Sequence, residues 1–485
     1  MNREAKIVAT IGPASSSEDV LSSLMDAGVN VVRLNFSHGT RAGHLSVIQL
    51  IRKLAEQKGK AIAVLQDLQG PKVRIGEIPG GEMFLASGES LDVYFAEDLE
   101  SVQPTAGASV KWIYIPIPSL LPQLHTGMKI LLDDGKIEFA LTNIYPDHAS
   151  VEVILGGRLT SHKGFNLPGT CLDIPGFTEK DREDLHFGIT NGVDYVAVSF
   201  VRTPADIDIV REDIAAFSQG RVVIPIIAKL ERPEALENLE GIIKVADGVM
   251  VARGDLGIEL SPEFVPVAQK RIIRAANLAA KPVITATQML ESMISNPRPT
   301  RAEAADVANA IFDGSDAVML SGETAIGNFP IDSVRVMDAI IREAEAHYAD
   351  WSLCAHEPEM DTTDDAVAVT RAARELARDR NVKTIAVFTH SGRTALLMSK
   401  TKTTVPVLAF TPLQTTYQRM SLYRGVTAYL VPFASSTEMM IETVDQVISK
   451  LFPEIIDQQV VLISGFPANK MRSPNFALLH TVGEL

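Results

Sequence analysis

The segment PIIAKLERPEAL, residues 225–236, places Lys229 and Glu231 two positions apart at the end of an apolar run. Side chains two positions apart on a strand point to the same face, so both should face the same side. The two residues could form a simple ion pair. Asp255 of VARGDLG, however, follows the next apolar run and adds a second carboxylate. Two carboxylates suit Mg²⁺ or Mn²⁺, which would leave Lys229 to neutralise substrate charge.

The segment VVRLNFSHG carries Arg33, Asn35 and Ser37 at alternate positions. On a strand these three side chains would share one face, with a guanidinium beside two neutral oxygen ligands. A buried arginine is costly without an anion, so the pattern predicts an anionic ligand such as a phosphate. His38 could contact that ligand or simply lie in the following turn.

The stretch DLQGPKVR, residues 67–74, combines Asp67 with two cations, Lys72 and Arg74. Taken alone, the stretch is typical of a solvated loop with incidental charges. It nevertheless ends a buried apolar run, and Gly70 and Pro71 break the chain directly afterwards. These features predict a strand end followed by a hinge.

Short β-branched runs alternate with helical patterns before residue 70 and again after residue 171. Three strands before the interruption and five after it match a (β/α)8 barrel, which carries its chemistry at the carboxyl ends of its strands. A doubly wound open sheet is the alternative. Polar residues gather where the runs end: Thr10, Arg33, Asp67, Ser199, Lys229, Asp255, Thr287, Ser321 and Glu323.

The predicted fold class is therefore α/β, with a (β/α)8 TIM barrel formed by residues 1–70 and 171–343. Residues 71–170 are rich in Gly and Pro with hairpin-like segments, and they predict an inserted antiparallel β-barrel that acts as a lid. Residues 344–485 include an acidic stretch, CAHEPEMDTTDD, and after it they show the alternation of a C-terminal open α/β domain.

Composition limits the class of partner. The chain has 485 residues, 46% of them hydrophobic, and a formal net charge of −15. That charge argues against binding to nucleic acid or to a membrane surface. No apolar segment of signal-peptide or membrane-span length is visible, so we expect a cytoplasmic protein. Cys171 and Cys354 lack a partner motif and are interpreted as structural thiols.

Five segments resemble the pyruvate kinase family in their order and spacing: VVRLNFSHG, QDLQGPKVR, IIAKLERPEAL, VARGDLG and TATQMLESMI. The resemblance covers nearly the whole chain, including the insertion and the C-terminal domain. It implies the last step of glycolysis, phosphoryl transfer from phosphoenolpyruvate to ADP giving pyruvate and ATP. The resemblance also implies that the reaction uses Mg²⁺ and, in many members, K⁺.

The resemblance also implies roles for single residues. Lys229 resembles the family's transition-state lysine, and Glu231 and Asp255 resemble its metal ligands. The implied substrate contacts are Arg33, Lys229, Gly254, Asp255 and Thr287, and the implied nucleotide contacts are Asn35, His38, Arg74 and Lys163. Phosphoryl transfer needs positioning and charge neutralisation rather than a nucleophile, which these residue types supply. Thr287, or a water chain near Ser321 and Glu323, could deliver the proton that the enolate must gain.

The monovalent-cation site implied by the resemblance contains Asn35, Ser37 and Asp67. Members that require K⁺ have a glutamate where this chain has Lys72, whereas Leu68, Gln69 and Ile75 resemble K⁺-independent members. A tethered ammonium can supply the charge of a bound K⁺. We therefore expect an enzyme that needs Mg²⁺ (or Mn²⁺) but does not require K⁺.

In the C-terminal part, VFTHSGRTALL ends a predicted strand and opens a helix. Its Thr389, Ser391, Gly392, Arg393 and Thr394 could form a phosphate cradle or an ordinary helix cap. The segment resembles the sugar-phosphate effector loop of regulated members, which implies allosteric control by a phosphorylated effector. The later loop SGFPANKMRSPNF departs from the glycine-rich type that binds fructose 1,6-bisphosphate, and it adds Lys470 and Arg472 as candidates.

Family members are usually homotetramers, and NPRPTRAEAADVANA with Arg301 resembles a region used between subunits.

Two other functions are alternatives to that of a pyruvate kinase. A metal-dependent barrel aldolase or other enolate enzyme would use Glu231 and Asp255 but would not need the nucleotide-side cations. A catalytically inactive phosphometabolite sensor is expected to lose Lys229 or the metal acids, and all three are present.

Overall fold

The structure is a computed structural model. It describes residues 3–71, 73–102, 111–133, 135–169, 175–352, 362–401, 403, 405–468 and 472–484. Cys171, Cys354, Lys72 and Lys470 lie outside these ranges, so the predictions made for them have no structural counterpart below.

The chain begins with two strand-helix units and a third strand. These elements are β1 (Lys6–Thr10), α1 (Glu18–Ala27), β2 (Val31–Asn35), α2 (Arg41–Lys58) and β3 (Ala63–Asp67). Helix α1 buries Leu21, Leu24 and Met25, which lie three and four positions apart and therefore on one face. Thr40 caps α2, its side chain accepting a hydrogen bond from Gly43 N at 3.2 Å.

The inserted segment that follows is made almost entirely of strands. They are β4 (Glu82–Leu85), β5 (Ser90–Phe95), β6 (Lys111–Ile115), β7 (Lys129–Leu132), β8 (Ile137–Ile144), β9 (His148–Leu155), β10 (Gly157–Thr160) and β11 (Phe165–Asn166). They form a six-stranded sheet in the order β11-β7-β8-β9-β5-β6 and a two-stranded sheet, β10-β4. The expectation of an inserted β domain is confirmed, but the predicted antiparallel β-barrel is wrong, because the described strands form these two sheets rather than one closed barrel, and β5 and β6 pair in parallel. Residues 96–110 separate these two strands and supply the long connection that parallel pairing needs.

The strand-helix alternation resumes after the insertion. The elements are α3 (Glu179–Thr190), β12 (Tyr195–Val198), α4 (Pro204–Ser218), β13 (Ile226–Leu230), α5 (Pro233–Glu237), α6 (Leu239–Val245), β14 (Gly248–Ala252), α7 (Arg253–Glu259), α8 (Val265–Leu278), β15 (Val283–Ala286), α9 (Arg301–Phe312), β16 (Ala317–Leu320), α10 (Gly322–Ala325), α11 (Pro330–Ala346) and α12 (Tyr348–Trp351). Thr178 and Asp181 form a capping box that starts α3.

Strands β1–β3 and β12–β16 close into one parallel barrel in the order β1-β16-β15-β14-β13-β12-β3-β2. The predicted (β/α)8 barrel, with three strands before the insertion and five after it, is confirmed. A doubly wound open sheet is excluded because β1 pairs with both β2 and β16. The inserted segment leaves the barrel just after Asp67, where β3 ends.

The C-terminal part is an open sheet flanked by helices. Its elements are α13 (Asp365–Asp379), β17 (Ile385–Phe388), α14 (Arg393–Ser399), β18 (Val407–Thr411), α15 (Gln414–Arg419), β19 (Val426–Leu430), α16 (Thr437–Leu451), β20 (Gln459–Ser464) and β21 (Phe476–Thr481). The order is β19-β18-β17-β20-β21, and β21 is antiparallel to β20. The predicted open α/β domain is confirmed, but the sequence did not indicate β21. The strand starts with four apolar residues, Phe476 to Leu479, but these side chains are only half-buried.

The C-terminal sheet domain covers the amino ends of the barrel strands. Lys6 Nζ donates to Val426 O at 2.8 Å, and Ser421 Oγ accepts from Ala63 N at 3.1 Å. Tyr195 Oη donates to Arg419 O at 2.8 Å. One apolar cluster runs from the barrel interior into this domain. The amino end of the barrel is thereby sealed, so the carboxyl ends of the strands are the open face.

The predicted domain boundaries stay predictions. The boundary between residues 343 and 344 falls inside α11, which runs to Ala346. The boundary between residues 170 and 171 lies outside the described residues. None of the helices in the described part of the chain has the length and hydropathy of a membrane span.

Candidate active site

Asp67 lies at the centre of the polar cluster in the barrel mouth. It is the last residue of β3, and it is only 1% exposed. Its Oδ2 lies 2.6 Å from Arg33 Nε, and its Oδ1 lies 3.2 Å from Lys229 Nζ. Burial alone would raise the pKa of Asp67, but Lys229 and Arg33 outweigh burial and lower it. One carboxylate therefore bridges two buried cations.

Lys229 is held on three sides. Its Nζ lies 2.9 Å from Glu231 Oε1 and donates to Ser199 Oγ at 2.7 Å, besides its contact with Asp67. Ser199 Oγ in turn donates to Leu68 O at 2.7 Å. Burial opposes charge on the lysine, but Asp67 and Glu231 raise its pKa above the ordinary value. Lys229 is therefore a fixed, fully charged ammonium. In the protein alone it pairs with Asp67 and Glu231, and its role in neutralising substrate charge stays a prediction.

Arg33 is fixed by the protein as well. Besides Asp67, its guanidinium donates through Nη1 to Thr10 Oγ1 at 3.0 Å, and Thr10 Oγ1 donates to Leu320 O at 2.9 Å. Asp67 therefore neutralises Arg33 within the protein itself, and the anionic ligand predicted for this arginine stays a prediction. The arginine remains in the barrel mouth, on the strand next to Asp67.

The two carboxylate oxygens of Glu231 differ in their hydrogen bonding to the protein. Its Oε2 accepts from Phe200 N at 2.8 Å. Its Oε1 is buried and has no aligned hydrogen-bond donor among the described residues, although the Lys229 ammonium is close. Burial raises the pKa of Glu231, and the nearby charge of Asp255 raises it further. A cation placed against both acids would relieve this cost.

Asp255 occupies the first turn of α7 and is half-buried. It does not end the strand as the sequence suggested, because β14 stops at Ala252. Across the described ranges, no cluster of three or more His, Cys, Asp or Glu side chains could hold a metal. Two carboxylates with coordination positions left for water and substrate oxygens fit Mg²⁺ or Mn²⁺. The donor set present therefore fits such an ion.

Thr287 follows β15 in a strained conformation. Its φ is +68°, in the left-handed region, which costs a β-branched residue about 1–3 kcal/mol. Its Oγ1 accepts from Gly254 N at 2.8 Å and donates to Ala286 O at 2.6 Å. A Cβ on Gly254 would meet Thr287 only at an ordinary 3.6 Å. The protein itself thus does not require glycine at 254, which leaves close approach of a ligand as its reason.

Glu323 and Ser321 lie after β16. Both carboxylate oxygens of Glu323 accept backbone N–H groups, from Leu290 at 3.0 Å and from Ser321 at 2.7 Å. Glu323 therefore holds two loops together. Ser321 Oγ is buried and has no partner among the described residues. Of the groups considered as proton donors, the hydroxyls of Thr287 and Ser321 are better placed than the Glu323 carboxylate.

The residues after Arg33 turn away from the strand. Strand β2 ends at Asn35, whose Oδ1 accepts from Ser37 N at 3.1 Å, while His38 N donates to Asn35 O at 3.2 Å. The alternation argument was therefore wrong for Ser37, because this residue lies in a turn. His38 also lies in this turn, and a role in binding nucleotide stays a prediction.

The two nucleotide-side cations of the insertion lie together. Arg74 forms an isolated bridge with Gly164, and its Nη1 donates to His162 O at 2.9 Å. Lys163 Nζ lies 2.7 Å from Asp133 Oδ1. Both are therefore carried by the inserted domain, close to the point where it leaves the barrel.

An open cavity of about 550 Å³ separates the base of the insertion from the barrel. Val73 and Phe165 line it from the insertion, and Phe200, Arg232 and Glu259 line it from the barrel. Arg232 follows Glu231 directly, so the insertion contacts the barrel beside the candidate metal ligand. Closure of the inserted domain as a lid stays a prediction.

The candidate effector residues line a second cavity, of about 300 Å³, in the C-terminal domain. Thr389, Ser391, Arg393 and Thr394 lie on one side, and Arg472 lies on the other. Gly392 starts α14 at φ +84°, and its N–H donates to Thr389 Oγ1 at 3.0 Å. Helix α14 has only 7 residues, and Arg393 pairs with Asp364. The cavity, rather than a helix terminus, is thus the feature that suits a ligand.

One buried residue beside the candidate site, Arg253, was not predicted from the sequence. It is buried at 8% exposure and contacts the backbone of Thr287. Its position beside Gly254 and Asp255 was the available signal, since the argument about buried arginines applied to Arg33 applies equally here.

A closed parallel barrel with buried Lys, Arg and acid side chains at the carboxyl ends of its strands defines a (β/α)8-barrel enzyme. Residues 2–334 match the family model for the pyruvate kinase barrel domain, and residues 367–480 match that for the pyruvate kinase alpha/beta domain.

Full-length relatives agree. The chain is 42% identical to a pyruvate kinase of Agrobacterium vitis, over 98% of this chain and 96% of the relative. It is 41% identical to a pyruvate kinase of Mycobacterium intracellulare, over 100% of this chain and 99% of the relative. A crystal structure of a pyruvate kinase from Cryptosporidium parvum superposes with a TM-score of 0.90 at 33% identity, covering 99% of this chain and 96% of that one.

The chain therefore belongs to the pyruvate kinase family. It is an enzyme of glycolysis, a phosphotransferase with pyruvate kinase function. Membership implies phosphoenolpyruvate and ADP as the substrates, and the family uses a divalent metal.

The bridge made by Asp67 gives the first prediction. Asp67→Asn should lower kcat/KM for phosphoenolpyruvate by about 100-fold, because Arg33 and Lys229 lose the anion that orients them. It should also lower the free energy of unfolding by about 3 kcal/mol, since two buried cations lose their partner. Steady-state kinetics and thermal denaturation measure the two effects.

Asp194→Asn is the matched control. Asp194 is 2% exposed and pairs with Arg52 at 2.8 Å, but it precedes β12 at the sealed end of the barrel. This variant should lose comparable stability while keeping its kcat/KM. Equal kinetic losses in both variants would show that the effect of Asp67 is only structural.

Proposed function

We propose that the enzyme transfers the phosphoryl group with Mg²⁺ or Mn²⁺ held by Glu231 and Asp255. The observation that carries this proposal is the buried Glu231 Oε1, which has no aligned hydrogen-bond donor among the described residues, while burial and the charge of Asp255 raise the pKa of Glu231. When bound, the ion would neutralise charge on the phosphoryl oxygens and on the enolate oxygen.

The charge balance of the barrel mouth supports a divalent ion. Arg33 and Lys229 carry two positive charges, while Asp67, Glu231 and Asp255 carry three negative ones. Their sum is −1, which would repel an anionic substrate that bears both a phosphate and a carboxylate. A divalent cation changes the sum to +1 and makes the site attractive to that substrate.

Each side chain then has a specific task. Lys229 places a fixed positive charge where the transferring group becomes more negative, and Arg33 binds the phosphate. Gly254 N and the hydroxyl of Thr287 contact the substrate, and Thr287 is the candidate proton donor to the enolate carbon. Binding of ADP is assigned to Asn35, His38, Arg74 and Lys163.

A lactate dehydrogenase-coupled assay with phosphoenolpyruvate and ADP tests the proposal. Without a divalent ion, activity should be lost, and Glu231→Gln should lower kcat by at least about 100-fold and raise the Mg²⁺ concentration needed. Glu345→Gln is the matched control. Glu345 is also a well-buried acid, but it accepts Glu4 N and Ala5 N at the sealed end of the barrel. Full activity in excess EDTA would contradict a metal role, and no ATP with Mg²⁺ would favour an inactive sensor.

Independence of K⁺ is the second part of the proposal. Both oxygens of Asp67 lie within 3.2 Å of Arg33 or Lys229. Because these two cations already neutralise the carboxylate, it would attract a monovalent ion near Asn35 and Ser37 only weakly. We assign the missing positive charge to Lys72, whose tethered ammonium replaces bound K⁺. A unit charge about 4 Å from an anion contributes on the order of 4 kcal/mol at an effective dielectric near 20.

The wild type should therefore run at full rate in K⁺-free buffer, and Lys72→Glu should make activity depend on added KCl. Lys244→Glu on the exposed surface of α6 is the charge-matched control and should stay K⁺-independent. Initial rates in tetramethylammonium and potassium salts at equal ionic strength distinguish the outcomes. A wild-type enzyme activated strongly by KCl would refute the assignment.

Regulation by a phosphorylated effector is the third part. The cavity beside Arg393, Thr394 and Arg472 is large enough for a sugar phosphate and offers hydroxyl and guanidinium donors.

Sugar monophosphates, a sugar bisphosphate and AMP should be compared as activators. Arg393→Ala and Arg472→Ala should abolish any activation while keeping the basal rate. Arg380→Ala, which only loses a contact with Gln459, should respond as the wild type. Unchanged activation in both cavity variants would place the effector elsewhere.

The homotetramer expected from the resemblance also remains a proposal. Arg301 is exposed at the start of α9 and so is available for contact with another subunit. The sedimentation mass of the protein checks the assembly.

A further inference from the structure

Arg253 is a buried arginine whose donors all face the protein. It starts α7 and is 8% exposed. Its Nη2 donates to Thr287 O at 2.6 Å, and its Nε donates to Ala286 O at 3.3 Å. Its Nη1 pairs with Asp306 Oδ2 at 2.7 Å and also reaches Gln269 Oε1 at 3.3 Å. The guanidinium therefore contacts the end of β15 and helices α8 and α9.

The backbone that Arg253 holds is strained. Thr287 and Gln288 have φ values of +68° and +55°, and two consecutive non-glycine residues in the left-handed region need support from their surroundings. The guanidinium supplies that support, because it binds the carbonyl groups of the two peptide bonds that flank Thr287. A planar donor fork that binds two successive carbonyls fixes the backbone orientation of the residue between them.

The contact is reciprocal. The side chain of Arg253 holds the backbone of Thr287, and the side chain of Thr287 accepts a hydrogen bond from the backbone N–H of Gly254. Asp255 is the next residue. These paired contacts, which we name the 253–287 clamp, tie the start of α7 to the end of β15. A displacement of Thr287 therefore also displaces the segment that carries Gly254 and Asp255.

We propose that Arg253 is a positioning residue for pyruvate kinase catalysis, acting through the 253–287 clamp to place the Thr287 hydroxyl and the Gly254 amide. The inference rests on the proposed role of Thr287 at the substrate. The arginine itself is not a catalytic residue, because it acts through Thr287: its guanidinium contacts the protein groups named above and also Met289 Sδ, at 2.7 Å.

The chemistry predicts a graded effect. Lysine keeps the charge but has no planar fork, so it cannot serve two carbonyls and a carboxylate at once. Arg253→Lys should lower kcat by about 10-fold and Arg253→Met by about 100-fold, as expected when a catalytic group is misplaced by a fraction of an ångström to one ångström. The KM for phosphoenolpyruvate should change by less than about 3-fold, because Arg33 and Lys229 keep their own partners.

The experiment measures kcat, KM and the rate at which the methyl hydrogens of pyruvate exchange with D₂O. Methyl exchange reports proton transfer at the enolate carbon without phosphoryl transfer to ADP. Asp306→Asn is the matched control: it removes the ion pair of Arg253 but leaves the guanidinium on the two carbonyls. It should keep kcat and exchange within about 3-fold of the wild type, while Arg253→Lys and Arg253→Met lose both. If Arg253→Met does not fold, the comparison of Arg253→Lys with Asp306→Asn still tests the proposal.

Two results would overturn the inference. If Asp306→Asn and Arg253→Lys lose stability and kcat in parallel, the arginine is only a structural ion pair. If Arg253→Lys and Arg253→Met keep wild-type kcat and exchange while Thr287→Ala loses them, Thr287 does not need the clamp and the proposed role of Thr287 survives. A Thr287→Ala variant with wild-type kcat and exchange would instead refute the role of Thr287 itself.

Discussion

The candidate site depends on one buried carboxylate that neutralises two cations. Arg33 and Lys229 come from β2 and β13, and neither could stay charged in the barrel mouth without a counter-ion. Asp67, at the end of β3, contacts both at 2.6 and 3.2 Å. The same carboxylate lies where the chain leaves the barrel for the insertion. The two buried cations and the start of the insertion are therefore fixed by neighbouring residues.

Sealing of one end of the barrel explains why all the chemistry lies at the other. The C-terminal domain binds the starts of β1, β3 and β12 through hydrogen bonds from or to Lys6, Ala63 and Tyr195. The shared apolar cluster makes this end rigid. The open end keeps polar side chains with few well-ordered partners, such as Glu231 Oε1 and Ser321 Oγ in the described part of the chain. Unsatisfied polar atoms of this kind are what a ligand site requires.

Part of the strained backbone lies at the same open end. Thr287, Gln288 and Phe200 all have positive φ, and all follow barrel strands that carry candidate site residues. Arg253 and Glu231 satisfy the backbone groups of two of them, at Thr287 O and Phe200 N. The charged side chains of the site therefore also stabilise the loops that form it, so substitutions there are expected to affect geometry and charge together.

The sequence by itself determined the strand count, the position of the insertion and the family, because these depend on local hydrophobic period and on contiguous motifs such as IIAKLERPEAL. It also indicated the acids and cations that meet at the barrel mouth. Only the tertiary structure decided which charge neutralises which. Arg33 pairs with Asp67 within the protein, Ser37 lies beyond the strand end, and Arg253 reaches Thr287 across 34 positions of sequence. Ion pairs and backbone contacts between distant residues depend on barrel closure, which local patterns do not encode.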